Sequence, residues 1–418
     1  MKFGSASLKH ATLFIYFPSI LMSLGQGMLI PALPVLGETF GVSGAVAVQA
    51  LTAQLLGRAI ALIPAGGAID RWGAKPVMIF GAALATASGV LAALASHFFI
   101  IIVAQFIWGV GTSMWMFGRE IAAFDMVKSD QRGRQMSALM GIGSTGMALG
   151  PAVGGIVTDA IGIRSLFWMY AVTSGIVLAI STMQANARRD EGAKRKKAPF
   201  INLGVFKKIH PYYRITYAVL FFSTFSQMTR SQVMNSAMPL YTQDSLGMSP
   251  TQTGIIFSFM AAVTFAMILP TGFISDKLGR KWAAAPAAVF SFLGFVIIPF
   301  FDTMPQLIAA VLIVGLANGL AMGAMTIYTF DIVPNEFRGQ LQAMRRSFGE
   351  AGAVISPPIV GILTVAYGPA SAFWVVAPLH GLSALLIIFV ARESLRRRLP
   401  PGAPDSEGVV VTPIDARP

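Results

Sequence analysis

The chain has 418 residues, 55% of them hydrophobic and only 12% charged, with a net charge of +13 and no cysteine. A soluble domain carries about twice that charged fraction, so the composition excludes an ordinary soluble enzyme, and the missing thiols exclude disulfide or thiolate chemistry. The surplus of positive charge also fails as a nucleic-acid footprint, because it is gathered into alternate loops and not onto one face.

Apolar runs of about 20 residues, enough to cross ~30 Å of hydrocarbon, recur at 11–33, 44–66, 76–96, 98–122, 136–158, 165–185, 213–239, 251–272, 283–301, 306–330, 341–366 and 370–391. Backbone polar groups must be satisfied internally in lipid, so each run predicts a helix. The expected fold is an all-α membrane protein with twelve transmembrane helices. The loops holding Arg71 and Lys75, Lys128 to Arg134, Arg188 to Lys208, Lys277 to Lys281, Arg338, and Arg392 to Arg398 are basic, whereas the opposite loops hold one basic residue, Arg164. This asymmetry places both termini in the cytoplasm and brings anionic lipid headgroups to that side. No short apolar core is followed by a cleavage site, so the first run is expected to remain as a span.

The expected domains are a first six-helix bundle over 1–190, a basic cytoplasmic linker over 191–212, a second bundle over 213–395 and a disordered cytoplasmic tail over 396–418. Within the linker, Phe200 to Phe206 reads equally as a short surface helix or as plain connection. The two bundles are copies of one unit. An offset of 206 residues carries Gly66, Asp70, Gly73 and Lys75 onto Gly272, Asp276, Gly279 and Lys281. It also carries Gly109 onto Gly315, Asp125 and Arg132 onto Asp331 and Arg338, and Gly146, Pro151 and Gly155 onto Gly352, Pro357 and Gly361. Internal repeats in a hydrophobic chain mark secondary transporters.

The motif Gly66-x-x-x-Asp70-Arg71-x-Gly73-x-Lys75, with its copy Gly272-x-x-x-Asp276-Lys277-x-Gly279-Arg280-Lys281, resembles the loop between helices two and three of the major facilitator superfamily. The fifth run carries Gly146-x-x-x-Gly150-Pro151-x-x-Gly154-Gly155, which is similar to the helix-five motif of that superfamily's drug:proton antiporters. Small residues at every fourth position let helices approach closely, and the proline removes a backbone hydrogen bond. The first run adds Leu24-Gly25 and Pro31-x-x-Pro34 in the same sense. Two positions depart from the pattern: Ala74 stands where a basic residue is usual, and Gln105 where the fourth helix usually has an arginine tied to proton transfer. The latter departure weighs against the simplest antiport assignment.

The resemblance implies two pseudo-symmetric bundles that rock around a central cavity lined by the first, fourth, seventh and tenth segments. Cavity candidates are Gln26, Trp108, Trp115, Phe225, Gln227, Arg230, Asn318, Met322 and Tyr328. Gating candidates are the residues of both motifs (Gly66, Asp70, Arg71, Gly73, Gly146, Gly150, Pro151, Gly154, Gly155, Asp276 and Arg280) with Asp125, Asp331, Arg345 and Arg346. Asp70 is expected to latch onto Arg345 or Arg346. Ionisable side chains inside a membrane are functional candidates by default. Among the acids Glu350 is the deepest and the first candidate for proton coupling, followed by Glu120. Arg230 lies too deep in the seventh segment to reach the cytoplasm, and a substrate or gating role is set against a structural ion pair.

No nucleophile elbow, phosphate loop or metal-ligand spacing occurs, and the four histidines do not cluster. The chain therefore reads as no enzyme, without cofactor or metal. The expectation is a monomeric, proton-coupled exporter of a small amphipathic organic compound in a bacterial inner membrane, with lipids and protons as its other partners. A proton symporter importing an organic anion or metal chelate is the alternative, and a non-transporting scaffold or sensor the third reading.

Overall fold

Lipid leaves the backbone no partner but itself, and the chain answers with helices throughout. The computed structural model describes residues 12–125, 132–183, 203–321, 324–334, 337–395, 398–400 and 402–404. The first segment is broken into α1 (Phe17–Met28) and α2 (Leu33–Phe40), because Pro31 and Pro34 cannot donate to the preceding turn, and Ile30–Ala32 tightens into a 3-10 turn between them. Ser43 accepts a hydrogen bond from the Val46 amide at 3.3 Å and caps the short turn α3 (Gly44–Ala47), which leads into α4 (Gln49–Trp72). There follow α5 (Ala74–Ala93), α6 (Phe98–Asp125), α7 (Arg132–Ile161) and α8 (Ile163–Met183).

The second half repeats the order with α9 (Pro211–Leu240), α10 (Pro250–Ala266), α11 (Ile268–Lys277), α12 (Arg280–Ile297), α13 (Met304–Ala321), α14 (Ala324–Ile332), α15 (Arg338–Tyr367) and α16 (Ser371–Leu385). The repeat is visible in the backbone. Gly41 and Gly247 have φ of 66° and 65°, Gly73 and Gly279 of 89° and 123°, and Gly162 and Gly368 of 92° and 83°. Each pair is one 206-residue offset apart, and each turn requires a left-handed residue that glycine adopts without cost from a Cβ.

Among the described residues, nine helical runs are long and apolar enough to cross a membrane, or ten when α10 and the Pro270–Lys277 part of α11, bent by 42°, count as one span. The protein is thus an all-α, multi-span membrane protein. Helix α9 carries Gln227, Arg230, Gln232 and Asn235 and is too polar for that criterion. In α7 the apolar stretch whose side chains are described, Thr145–Ile161, is shorter than a full span.

Contacts divide the chain into two units that do not follow the halves. Unit 1 is Met1–Lys194 with Asn235–Ser258 and Pro357–Pro369; unit 2 is Arg195–Met234, Phe259–Ser356 and Ala370–Pro418. The end of α9, the start of α10 and the end of α15 therefore belong with the first half. Within unit 1 the helices meet backbone to backbone. A Cβ on Gly57 would strike the Phe106 carbonyl, and one on Gly109 the Gln54 carbonyl, where α4 crosses α6. Unit 2 repeats this seam at Gly315, whose Cβ would sit 2.7 Å from the Met260 carbonyl oxygen.

The linker's short helix, Leu203–Lys208, is a 3-10 turn whose Val205 joins the core of unit 2 with Ile209 and Tyr217. The expected disordered tail is docked in part: Ala403 is buried, and Tyr213 Oη donates to the Pro404 carbonyl at 3.0 Å.

Gly109→Ala should lower thermal stability in detergent by about 1–3 kcal/mol, the usual cost of overpacking. Gly175→Ala, whose Cβ would meet nothing nearer than 3.8 Å, should leave the unfolding midpoint unchanged. Equal effects of the two substitutions would show that the α4–α6 seam tolerates a methyl group.

Candidate functional site

In unit 1, Gln26 of α1 donates to Met116 Sδ of α6 at 3.5 Å. Glu120 lies one turn beyond Met116, so the three share one partly exposed face. Arg119 is buried beside it, 3.9 Å from Glu120 and 5.4 Å over the Trp115 ring. The two tryptophans point elsewhere. Trp108 stacks on Tyr170 at 4.7 Å and Trp115 Nε1 donates to Ser181 at 3.2 Å, both fully buried against α8. They pack the inside of the unit and do not join the Gln26 face. Gln105 is buried one turn from Trp108, its Oε1 without a partner among the described residues.

The fifth-segment motif forms two adjoining contacts. Gly146, Gly150 and Gly154 of α7 lie against Ile20, Leu24, Gly27 and Met28 of α1, with Pro151 against Gly27. Gly155 meets Pro250 and Thr251 at the start of α10, and Gly254 of α10 meets the Pro151 carbonyl in return. The repeat makes the second contact reciprocal: Gly361, the copy of Gly155, meets Ala45, the copy of Thr251. Polar bonds hold the same region. Asp159 accepts from the Thr251 amide at 2.9 Å, supplying a carboxylate to the N-terminus of α10. Gln243 Nε2 donates to the Pro31 carbonyl at 2.6 Å. Asp244 and Glu38 are also repeat equivalents. Asp244 presses one carboxylate oxygen on Gly44 while the rest of its side chain is exposed. Burial first, and the charge of Glu38 second, hold its proton more tightly than in an ordinary aspartate.

In unit 2, Arg230 is buried and donates from Nη1 to Ser291 Oγ of α12 and from Nη2 to Asn318 Oδ1 of α13, the latter at 2.5 Å. Asn318 thus binds Arg230 directly. Gln227 and Ser231 flank it on the partly exposed side of α9. Arg345 is buried too, donating to Thr224 Oγ1 of α9 and to Gln342 and Thr326. Helix α15 meets α9 along Gly349 and Gly352, which touch Thr224, Met228 and Phe225. At about 100° per residue, Phe348 shares one flank of this seam with Ile355, Ile359 and Ile362, all exposed apolar side chains. Phe225 and Phe221 pack on Phe348 at 5.1 and 4.5 Å, so Phe225 belongs to that apolar flank. Arg346, exposed, and Glu350, partly buried, occupy the opposite flank. Tyr328 is in the core of the unit, its hydroxyl bonded to the Arg392 carbonyl.

The second loop motif is closed by charge. Arg280 bonds Asp276 at 2.6 Å and Asp331 at 2.8 Å. Sequence reading missed its cap, Glu393, which accepts from the Arg280 and Lys281 amides at 2.9 and 3.1 Å and packs on Gly279. It lies in a basic run more than a hundred residues away, and no periodic pattern marks it. In the first motif, Gly73 ends α4. The side chains of Asp70, Arg71 and Asp125, position 66, and all of Met322 lie outside the described residues. The expected latch from Asp70 to Arg345 or Arg346 therefore stands as an expectation.

Many membrane-spanning helices, glycine seams between them and ionisable residues upon them suit a multi-pass membrane transporter. The chain belongs to the Major Facilitator Superfamily, whose model matches residues 15–229 and again 220–414; it is a transport protein, not an enzyme. It is 24% identical over 369 residues to multidrug resistance protein 2 of Bacillus subtilis (strain 168), covering 85% of this chain and 89% of that protein. It is 23% identical over 382 residues to multidrug resistance protein MdtG of Escherichia fergusonii, covering 90% and 91%. Its fold is similar to the crystal structure of a D-xylose-proton symporter, with a TM-score of 0.76 at 15% identity over 97% of this chain and 100% of that one.

Raised proton affinity at Asp244 has a definite sign. The folded state gains from the protonated acid below the ordinary aspartate range, and this gain is lost as pH rises through the higher folded value. Asp244→Asn should therefore unfold at a higher temperature than wild type near pH 7, with the gap closing by about pH 4. A gap that stays constant with pH would assign the effect to packing on Gly44.

Proposed function

We propose that the chain is a proton-coupled exporter of small amphipathic organic compounds, built as twelve spans in two six-helix halves that expose one cavity to each side in turn. On this reading it works as a monomer in a bacterial inner membrane with both termini cytoplasmic. The observation that carries it is the double role of α7, whose glycine faces meet α1 on one side and the start of α10 on the other. Backbone contacts of this kind part and re-form without stripping water from large polar groups, which suits a seal that opens once per cycle. The multidrug resistance proteins similar to it over most of their length support export of an organic compound.

Gln26, Met116 and Glu120 in unit 1, and Gln227, Arg346 and Glu350 in unit 2, are exposed or partly exposed positions that substrate and protons would meet. No acid stands deep in the first or seventh segment, so neutral, zwitterionic or anionic substrates fit better than cationic ones. Import of an organic anion is favoured by one observation, the buried cation Arg230.

Glu350→Gln should abolish proton-driven accumulation in proteoliposomes while sparing downhill counterflow, because only the titrating group is lost. A pH-sensitive dye in the lumen, read alongside labelled substrate, checks this. If the variant still concentrates substrate, the coupling acid is another residue, Glu120 first.

A further inference from the structure

The repeat supplies an internal control for Arg230. The positions equivalent to Arg230, Ser291, Asn318 and His380 are Leu24, Ala85, Thr112 and Ser174 in the first half. There the hydroxyls of Thr112 and Ser174 bond their own helix, at Trp108 and Tyr170, and no charge is buried. The first half keeps the helix packing without a cation at this place, and the second half carries one.

Among the described residues the cluster is incompletely satisfied. The Arg230 acceptors, Ser291 Oγ and Asn318 Oδ1, are neutral, and Arg230 Nε has no partner among the described residues. No carboxylate pairs with Arg230 among the described residues. One turn back on α9, Ser226 Oγ lies 2.6 Å from Nδ1 of buried His380 on α16. When Ser226 donates, the imidazole proton sits on Nε2, which also lacks a partner. The His380 ring is held edge-on to Phe295 at 4.9 Å, so its orientation is fixed. Two donors without partners among the described residues, one of them on a guanidinium whose acceptors are neutral, thus lie within about one turn of α9, buried where α9, α12, α13 and α16 meet. A desolvated guanidinium with only neutral acceptors keeps its full charge and attracts an anion.

We infer that this cluster in unit 2 is a binding site for a small monovalent anion, either chloride or a carboxylate of the transported compound. Its assignment as a substrate subsite rests on the transporter reading above; anion binding itself does not.

Thermal unfolding of the purified full-length protein in detergent tests this without any transport step. Sodium chloride and sodium acetate are each titrated against sodium HEPES at constant ionic strength. The wild-type midpoint should rise saturably with at least one of them, by about 3 °C or more near saturation. A rise with chloride alone assigns a halide site, and a rise with acetate a carboxylate subsite. Arg230→Gln should not respond. Asn318→Asp places a carboxylate on Arg230 from within, so it should unfold near the anion-saturated wild-type temperature and be indifferent to added salt. Asn318→Asp also keeps the test decisive if Arg230→Gln does not fold. A wild type indifferent to both anions overturns the site, as does an Arg230→Gln or Asn318→Asp protein that responds as wild type does. Loss of proton coupling with the anion response intact would count against the exporter reading alone.

Discussion

Membrane helices gain nothing by hiding apolar side chains from one another, since lipid is as apolar as leucine, so close backbone approach must hold them. The whole structure depends on that constraint. Gly57 and Gly109 admit each other's helix at the α4–α6 crossing, Gly89 admits Ala171, and Gly146, Gly150 and Gly154 admit α1. In unit 2 the same contacts recur at Gly315, Gly349 and Gly352. Contact over many atoms at short range supplies the attraction, and each seam is sensitive to a single methyl group.

Such seams can also be shared. Helix α7 spends one glycine row on α1, and its neighbouring Gly155 receives the start of α10. Duplication makes the arrangement reciprocal, so Gly361 receives Ala45 in the same way. Around these contacts lie a few polar bonds, from Asp159 to the Thr251 amide and from Gln243 to the Pro31 carbonyl. The region is therefore joined by small-residue contact and by hydrogen bonds that water can replace. At the second loop motif, by contrast, Arg280 is held by two carboxylates and capped by Glu393. The two kinds of joint differ in what opens them, packing in one and charge in the other.

Much of the fold was legible because the constraint is local. Each helix follows from an apolar run, and Gly73 and Gly279 could be placed at turns because both end a run before a basic loop. The offset of 206 residues relates the glycines that adopt positive φ in pairs. The site was less legible for a definite reason. Helix α6 is apolar nearly all round, so its sequence does not say which way Trp108 and Trp115 point, and they turn to Tyr170 and Ser181. Phe225, a cavity candidate beside Gln227, packs on Phe348 of α15, a partner that its own sequence neighbours do not reveal. Ser291, Thr224 and Glu393 act through partners on other helices, and their roles carry no periodic signature.

On the proposed reading, the α7–α10 contact closes and opens during transport. Because the chain has no cysteine, two can be introduced without background, at exposed Ile161 and at Met248 beside the start of α10, and spin-labelled for distance measurement by pulsed electron resonance. Alternating access predicts two distance populations in nanodiscs, the longer one changing its share when pH is stepped or substrate is added. A single distance, unmoved by either, would contradict the account.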